Sequence, residues 1–354
     1  MIFQQKNILV APLNWGLGHA TRCIPIIRAL QQNGFNPIIA SDGEALQLLK
    51  LEFPELTILE LPSYKISYPK NGFFFRWKMF LSLSNIGAAV AKEQKIIEKW
   101  IDEFQITGII SDNRLGVCHA KVPSVYITHQ LNVLTGLTTF FSTRIHQKFI
   151  KKFTECWIPD IGTTPNLSGK LGHFEQEDLN VKYIGPLSRF SKTKSDKKYD
   201  YFILLSGPEP QRTLLEQKLI SEFKEIEKPV LFVKGTIEAQ QKIHQEGAIL
   251  FYNFMTTTQL EDAFSSSELV ICRSGYTSIM DLAHLEKKAF FIPTPGQFEQ
   301  EYLAVKFQKE KLVPFANQQD FKLQNLSKIS DFKGFSSLAS ETDWCKLFSL
   351  FQGK

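Results

Sequence analysis

The chain has 354 residues, more than the ~100–200 of a typical single domain, and it therefore predicts two domains. Its formal net charge of +5 is too small to indicate nucleic-acid binding, and no apolar run reaches the ~20 residues that span a bilayer. The five scattered cysteines form no Cys-x-x-Cys pair, and the N-terminus lacks a signal-peptide pattern, so we expect a cytoplasmic protein without disulfides or a zinc site.

Short β-rich apolar runs alternate with amphipathic stretches along the whole chain. In the first half the predicted strands are 8–13, 37–41, 56–61, 106–111 and 124–128. In the second half the predicted strands are 201–205, 230–234, 248–251, 269–272 and 289–293. This alternation predicts βα units around a parallel sheet in each half, which is an α/β fold class.

The polar stretch 188–198 separates the two series of strands. It is charged and lacks a hydrophobic period, so it predicts an interdomain linker. We therefore expect an N-terminal domain at 1–187 and a C-terminal domain at 199–335. The last segment, 336–354, predicts a terminal helix that packs back on the N-terminal domain.

The first candidate site is the sequence NWGLGHATR at residues 14–22, directly after the first predicted strand. Gly16 and Gly18 lie where the strand turns into a helix, so the backbone can approach a ligand and the helix N-terminus can face an anion. The spacing departs from a dinucleotide fingerprint, which disfavours NAD, although Asp42 lies near the distance expected for the ribose-binding acid. His19 could serve as a general base, and the alternative is a histidine that caps its helix.

A second strand, turn and helix start lies at 272–281. Backbone N–H groups from Ser274 to Thr277 would suit a diphosphate, and Asp281 lies one helical turn further on, where it could bind two ribose hydroxyls. The alternative for Asp281 is a solvent-facing acid on a surface helix.

A third turn of the same type begins at Ser206. Gly207 could allow phosphate to approach the backbone closely, and the helix start that follows contains Arg212. An ordinary βα turn fits this stretch equally well.

Polar residues also follow two predicted strands of the first half. Asp112 is followed by Asn113 and Arg114, and His129 follows the next strand. Because ligands of α/β proteins bind at the carboxyl ends of strands, Asp112 or His129 could be a base or could hold an acceptor hydroxyl. A buried network that holds the loops together is the alternative for each.

The segment 61–92 contains no acidic residue but interleaves Lys and Arg with aromatic residues. This composition predicts contact with an anionic membrane surface through residues 64–80. Core packing or a dimer contact is the alternative. Nothing else in the sequence resembles a nucleic-acid-binding module, so no nucleic-acid partner is expected.

Together the two main motifs resemble those of GT-B glycosyltransferases, the group that includes the peptidoglycan N-acetylglucosaminyltransferase and related glycolipid synthases. The sequence Gly-Leu-Gly-His-x-x-Arg at 16–22 is followed, in matching order, by Cys-Arg-Ser-Gly at 272–275 with an acid nine residues after the cysteine. The resemblance spans most of the chain. It implies two Rossmann-like domains that face each other across a cleft, with the UDP-sugar donor on the second and the acceptor on the first.

The resemblance also implies roles for individual residues. Residues 183–189 resemble the stretch whose arginine lies near the nucleotide, and residues 254–255 resemble the pair that flanks the uracil. Residues 295–301 resemble the loop that contacts the donor sugar, where Glu301 replaces one of two glutamines. The candidate donor-binding residues are Arg189, Ser206, Gly207, Arg212, Phe254, Met255, Arg273, Ser274, Gly275, Thr277, Asp281, Gln297, Gln300 and Glu301. The candidate catalytic residues are His19, Asp112 and His129, and the candidate acceptor-binding residues are Asn14, Gly16, Gly18, Arg22, Asn113 and Arg114.

The expected activity is an inverting, metal-independent transfer of a sugar from a UDP-sugar, for example UDP-N-acetylglucosamine, to a lipid-linked or glycan acceptor. No Asp-x-Asp sequence occurs, and no cofactor beyond the substrate is expected. Helix N-termini with Arg273 or Arg189 would meet the charge of the leaving diphosphate. Two alternatives stay open: a nucleotide-sugar hydrolase or epimerase, because 18–23 also resembles a UDP-sugar hydrolase of nonulosonate synthesis, and a non-catalytic protein that binds a lipid or partner. For the transferase, we expect a peripheral location on the inner membrane face.

Overall fold

The computed structural model describes residues 5–64, 83–134, 139–173, 178–193, 195–236, 238–335 and 342–353. Contacts between these residues divide the chain into two compact units. The first unit contains the described residues up to Leu187 together with 342–353. The second unit contains the described residues within 188–335.

The first unit is built around a parallel sheet. In chain order its elements are β1 (Asn7–Pro12), α1 (Gly18–Gln32), β2 (Asn36–Ser41), α2 (Gly43–Glu52), β3 (Thr57–Glu60), α3 (Leu83–Glu103), β4 (Ile106–Asp112), β5 (Ser124–Ile127), α4 (Thr139–Ile150), β6 (Glu155–Ile158), a 3-10 turn (Gly169–Leu171) and β7 (Val181–Tyr183). The strand order is β3-β2-β1-β4-β5-β6-β7. In register, Leu9 of β1 lies between Ile38 of β2 and Ile109 of β4.

The strands at the centre of this sheet are buried on both faces. Leu9 and Ala11 of β1 pack in one cluster with Ile97 and Ile101 of α3. Ile8, on the opposite face of the same strand, is also fully buried. A strand covered on both faces appears in the sequence as a continuous apolar run, as 8–13 does.

The C-terminal residues of the chain complete the first unit. A short helix, α9 (Trp344–Phe348), is followed by the 3-10 turn Ser349–Phe351. The buried Phe351 ring lies against Gly108 of β4, where a Cβ atom would overlap it, and its centroid is 6.3 Å from that of Trp157. The prediction that the terminal helix packs on the N-terminal domain is therefore confirmed.

The second unit has the same general plan. Its elements are β8 (Tyr199–Leu204), α5 (Gln211–Phe223), β9 (Val230–Val233), β10 (Ile243–Glu246), β11 (Ile249–Tyr252), α6 (Thr257–Ser265), β12 (Ser267–Cys272), α7 (Tyr276–His284), β13 (Lys288–Phe291), α8 (Phe298–Lys309) and the 3-10 segment Leu323–Asp331. The strand order is β10-β11-β9-β8-β12-β13, and only the β10–β11 pair is antiparallel among the described strands. The α/β class with two parallel-sheet domains is thus confirmed.

The described part of 188–198, predicted as a linker, belongs to the second unit. Phe190 is buried, and its ring centroid lies 5.2 Å from that of Phe264 on α6. Lys197 Nζ donates to the carbonyl oxygens of Ser265 and Ser267. One aromatic anchor and one lysine therefore attach a polar stretch that shows no hydrophobic period.

None of the helices in the described ranges is both long enough and apolar enough to span a membrane.

Candidate active site

The carboxyl ends of three adjacent strands bring the first-half candidates together. β4 ends at Asp112, β5 ends two residues before His129, and α1 begins at Gly18 shortly after β1. In the sheet β1, β4 and β5 are neighbours and parallel, so these three segments share one edge. His19 occupies the second position of α1 and Arg22 lies one turn later, on the same side of the helix.

Asp112 and Arg22 form a buried bidentate ion pair at this edge. Arg22 Nε donates to Asp112 Oδ2, and Arg22 Nη2 donates to Asp112 Oδ1. Burial opposes ionisation of Asp112, but the charges of Arg22 and His19 and their hydrogen bonds outweigh it and lower its pKa to about 2. Asp112 is therefore a carboxylate at neutral pH.

His19 completes this pair. Its Nδ1 lies 2.8 Å from Asp112 Oδ1 and 2.9 Å from Arg22 Nη2, and its side chain is 12% exposed. Arg22 Nη2 donates to Asp112 Oδ1, so His19 Nδ1 can donate to the same ionised oxygen; this favours the tautomer in which Nδ1 carries the proton and Nε2 is unprotonated. Burial lowers the His19 pKa below its usual value, although the Asp112 carboxylate opposes this shift. His19 is thus a neutral imidazole at pH 7 with a basic nitrogen.

His129 is the fourth member of the cluster. Its Nδ1 lies 3.1 Å from Arg22 Nη1 and must accept that hydrogen bond, because a guanidinium only donates. The structure therefore brings His19, Arg22, Asp112 and His129 together around one guanidinium. Within the described ranges, no three His, Cys, Asp or Glu side chains converge so as to hold a metal ion.

Arg114, predicted to bind the acceptor, is instead occupied by protein partners. It is fully buried; its Nη2 donates to Asp42 Oδ1, and its Nη1 donates to Glu93 Oε1 at 2.7 Å. Tyr64 donates to the second oxygen of Glu93, at 2.7 Å. Burial raises the Glu93 pKa, which the Arg114 charge opposes. This network holds the loops together. It includes Asp42, the acid that lay near the position of a dinucleotide-binding acid. It also includes Tyr64, the one described residue of the predicted membrane segment 64–80, because 65–80 lie outside the described residues.

The remaining acceptor-side candidates shape the loops. Gly16 has φ +72°, a conformation that favours glycine, and Gly18 is the first residue of α1. Asn14 donates to Asp42 and accepts from the Ala45 N–H, so it joins this loop to α2. Asn113 has φ +61°, and its Oδ1 accepts from the Tyr126 hydroxyl at 2.8 Å.

In the second unit, Asp281 lies beside residues that sequence reasoning assigned to a linker. Ser188 Oγ donates to Asp281 Oδ1 at 2.7 Å, and the positive charge of Arg189 also acts on Asp281. Burial raises the pKa of the Asp281 carboxyl to about 7, although Arg189 and Ser188 oppose the shift. Gly275 precedes α7 without a side chain that caps the helix, and Thr277 lies in its first turn.

Arg273 and Ser274 are structural, contrary to their predicted donor roles. Arg273 is buried and donates to the carbonyl oxygens of Ile292, Pro293 and Gln211 and to the side chain of Gln318. The buried Ser274 hydroxyl donates to the Gln300 carbonyl at 2.7 Å. Burial lowers the Arg273 pKa to about 10. Both side chains join the loops after β12 and β13.

Arg212, on α5, is likewise occupied by protein partners. It pairs with Glu209 and Glu216 and donates to the Lys234 carbonyl. Glu209 also accepts the Thr213 N–H, so an acid of this chain already occupies the N-terminus of α5. Gly207, with φ +103°, follows Ser206 in this turn.

The predicted donor-sugar loop is held by its own side chains. Gln300 accepts the Thr294 N–H at 2.9 Å and donates to Gln297 Oε1 at 2.6 Å. Glu301 accepts the Gly296 N–H at 2.8 Å. Phe254 and Met255 are half-buried just before α6, so part of each side chain faces solvent.

Sequence reasoning missed Glu93, Ser188 and Thr294. Glu93 could have been found as an acid at a position where the pattern of the amphipathic helix α3 expects an apolar residue. Ser188 could have been found because it precedes the candidate Arg189. Nothing in the sequence marks Thr294, whose buried hydroxyl lies near Gly207 and lacks a hydrogen-bond partner within the described residues.

Comparisons with known proteins agree with this architecture. Residues 211–331 match the sequence profile of the glycosyltransferase family 28 C-terminal domain. The chain is similar to enzymes named UDP-N-acetylglucosamine--N-acetylmuramyl-(pentapeptide) pyrophosphoryl-undecaprenol N-acetylglucosamine transferase. The relative from Haemophilus ducreyi is 22% identical over 57% of this chain and 56% of its own length, and the one from Glaesserella parasuis is 23% identical over 91% and 88%.

Solved structures show the same fold across almost the whole chain. The crystal structure of MurG from Acinetobacter baumannii matches with a TM-score of 0.61 and 14% identity, and it covers 99% of both chains. The spinosyn rhamnosyltransferase SpnG matches with a TM-score of 0.62 and 14% identity over 98% of this chain and 96% of that one. The alignments with two of the sequence relatives span only 56% and 66% of their length. The chain therefore has the fold of these glycosyltransferases, and residues 211–331 of its second unit match the family 28 C-terminal domain.

Proposed function

We propose that this protein transfers a sugar from a UDP-sugar, for example UDP-N-acetylglucosamine, to a hydroxyl of a lipid-linked or glycan acceptor, with inversion and without a metal ion. The named relatives use a UDP-N-acetylglucosamine donor and an undecaprenol-linked acceptor, which supports these substrate classes. A lipid-linked acceptor would place the enzyme at the cytoplasmic face of the membrane.

The pairing of His19 with Asp112 carries this proposal. A general base must be unprotonated at working pH and must be held in one orientation. The 2.8 Å contact with Asp112 orients the imidazole, and burial keeps its pKa below the usual value. His19 Nε2 is then the atom that accepts the proton of the acceptor hydroxyl.

The proposed reaction is a single displacement. As the proton moves to His19 Nε2, the hydroxyl oxygen forms a bond to the anomeric carbon of the donor sugar. The bond from that carbon to the β-phosphate oxygen breaks, and UDP leaves with the electron pair. Attack from the face opposite the leaving group inverts the anomeric centre.

On the donor side, Asp281 and α7 support nucleotide binding. A carboxylate with a hydroxyl and an arginine nearby suits the vicinal hydroxyls of ribose, and the positive end of α7 suits a diphosphate. Burial raises the pKa of Asp281 and so disfavours its ionised form. Hydrogen bonds donated by ribose hydroxyls would favour the ionised form, because they offset part of the cost of burial.

The same base could instead activate water, because an imidazole oriented by a carboxylate can accept a proton from water as well as from an acceptor hydroxyl. Hydrolysis of the nucleotide sugar is therefore the second candidate function. The two differ in one observable: hydrolysis releases UDP at a rate that no added acceptor changes, whereas transfer requires the acceptor.

The experiment measures UDP release from a panel of nucleotide sugars, with and without lipid-linked acceptors. His19→Ala should lower kcat/KM by about 10²–10⁴-fold, the usual contribution of a general base. His119→Ala, which alters a half-buried histidine of the same unit outside the cluster, is the matched control and should retain activity. Equal activity of His19→Ala and wild type would exclude His19 as the base.

Donor binding is tested separately by thermal shift with UDP. Wild type and the control Asp262→Asn, at an exposed acid on α6, should be stabilised by UDP to the same extent. Asp281→Asn should lose most of that shift. A UDP shift unchanged in Asp281→Asn would refute the donor assignment without affecting the assignment of His19.

A further inference from the structure

Thr294 of the second unit has a buried hydroxyl without a hydrogen-bond partner. The residue is 2% exposed, and its Oγ1 makes no hydrogen bond within the described part of the chain. Buried polar groups of proteins are almost always paired, because an unpaired one destabilises the fold. An exception at the edge of a sheet where ligands bind indicates a group that a ligand pairs.

The backbone around Thr294 is held in place by other hydrogen bonds. The Thr294 N–H donates to Gln300 Oε1 at 2.9 Å, and the Thr294 carbonyl accepts the Gln297 N–H at 3.1 Å. The Arg273 guanidinium donates to the two carbonyl oxygens directly before Thr294. The position of the Thr294 side chain is therefore fixed, while its hydroxyl is not committed to any described residue.

The hydroxyl lies where loops meet at the carboxyl edge of the second sheet. Thr294 follows β13, and its Oγ1 lies 3.6 Å from the position that a Cβ atom would take on Gly207, which follows β8. Because β12 lies between β8 and β13, this contact crosses the end of β12, where Gly275 precedes α7. The hydroxyl therefore lies close to the N-terminus of α7.

The glycines of the other two loops leave space beside this hydroxyl. Among described residues not adjacent in the chain, only the Thr294 hydroxyl would lie within 4 Å of a Cβ atom on Gly207, and none would for Gly275. Helix α7 begins without a side-chain cap, and the Ser274 hydroxyl donates to the Gln300 carbonyl instead. Backbone N–H groups of α7 and the Thr294 hydroxyl thus border the space at these two glycines.

We propose that the Thr294 hydroxyl donates a hydrogen bond to a phosphate oxygen of the nucleotide at the N-terminus of α7. Helix N-termini favour anions, and a hydroxyl bonds more strongly to a charged oxygen than to a neutral one. A neutral donor matters here because Arg212 and Arg273 are committed to protein acceptors. The inference rests on the proposed nucleotide donor and adds a residue that binds its phosphate.

The test compares stability and ligand binding in Thr294→Val, which keeps the shape of the side chain but removes the hydroxyl. Without ligand, this variant should have a calorimetric Tm equal to or above that of wild type, because it removes an unpaired buried polar group. The Kd for UDP, from isothermal titration calorimetry, should rise about tenfold or more, because a hydrogen bond to a charged oxygen is lost. Thr294→Ser keeps the hydroxyl and should bind UDP within about threefold of wild type.

Ser267→Ala is the matched control, because it removes a buried hydroxyl that does have a protein partner. Ser267 begins β12, at the opposite edge of the same sheet, and its hydroxyl donates to the Ala263 carbonyl at 2.6 Å. Loss of that bond should lower the Tm and leave the Kd for UDP unchanged. Uridine, which has no phosphate, should bind Thr294→Val and wild type equally.

Three results would overturn the proposal. The first is equal affinity of Thr294→Val and wild type for UDP. The second is a loss of affinity for UDP-N-acetylglucosamine but not for UDP, which would assign the hydroxyl to the sugar. The third is a Tm of Thr294→Val as low as that of Ser267→Ala, which would show that the hydroxyl is paired within the protein.

Inorganic pyrophosphate separates this inference from the proposed function, because it needs only the phosphate site. Wild type that binds pyrophosphate more tightly than Thr294→Val does, but does not bind UDP, would refute the nucleotide donor and keep the role of Thr294. Wild type that binds UDP as tightly as Thr294→Val does would refute the role of Thr294 and keep the donor. UDP release does not enter these assays, so the assignment of His19 is tested independently.

Discussion

Replacing Asp112 with asparagine is expected to destabilise the first unit as well as abolish activity. Asparagine keeps the shape of the side chain but removes its negative charge. Arg22 would then be a buried guanidinium without an anion, since its Nε and Nη2 both donate to Asp112. Removing one partner of a buried ion pair costs about 3–5 kcal/mol, because the other charge stays desolvated.

The pKa of Asp112 gives a second magnitude. Its value of about 2 in the folded protein, against 3.8 ordinarily, corresponds to about 2 kcal/mol of stability at pH 7. Because the folded pKa is depressed, this stability is present above pH 3.8 and is lost as the pH falls toward 2. The asparagine variant should lose more than this, because protonation leaves a hydrogen-bonding carboxyl whereas substitution also disturbs the bidentate geometry.

Tryptophan fluorescence isolates the relevant unit, because the described tryptophans all lie in the first unit and residues 188–335 contain none. In urea unfolding at pH 7, Asp112→Asn should lower the free energy of unfolding by about 3–5 kcal/mol. His19→Ala should cost about 1 kcal/mol, since it removes one hydrogen bond at a partly exposed side chain. Equal stability of the two variants would refute the argument that Asp112 offsets the buried charge of Arg22.

Three further predictions follow from the same contacts. The kcat at saturating nucleotide sugar should fall only below pH 6.5, as His19 becomes protonated, because burial lowers its pKa. A pH profile of wild-type kcat checks this, and an acidic limb at or above 6.5 would contradict it; kcat/KM is not the measure, because it also reports the ionisation of Asp281 in the free protein. Arg273→Ala should lower the calorimetric Tm of the second unit, because several carbonyl groups lose their donor. The free energy of unfolding should fall by about 3 kcal/mol or more, and any loss of UDP binding should accompany this loss of stability. An unchanged Tm would restore Arg273 as a ligand-binding candidate. Phe351→Ala should cost the first unit about 3–5 kcal/mol by emptying the space over Gly108, measured by urea unfolding, and a variant as stable as wild type would show that the terminal segment is dispensable.

The central strands were predictable because they are buried on both faces and therefore form continuous apolar runs. The strands that sequence reasoning missed lack this pattern. β10 (Ile243–Glu246) is an exposed edge strand whose pairing with β11 depends on a turn rather than on burial. β6 (Glu155–Ile158) contains a buried Glu155 that accepts from the Trp157 indole, so a charged residue interrupts the apolar run.

The site was predictable only in part, for a different reason. Positions at strand ends follow from chain order, so the proximity of His19, Asp112 and His129 could be anticipated from the parallel sheet. The direction of a side chain could not, because it depends on partners far along the chain. Arg114 and Arg273 each stand beside a candidate ligand residue in the sequence, yet both turn inward to acceptors more than ten residues away.

This inward direction bears on how the leaving group is stabilised. Arg22, Arg114 and Arg273 are all buried, and their hydrogen bonds to the protein position carboxylates or loops. None of the three can turn toward a diphosphate without leaving buried acceptors unpaired, at about 1–3 kcal/mol for each group. In the proposed transfer, the developing charge on UDP would then be met by the N-terminus of α7 and by Arg189, whose charge acts on Asp281. Substitution of a buried motif arginine would therefore report on folding, whereas His19→Ala and Asp281→Asn separate the proton transfer from donor binding.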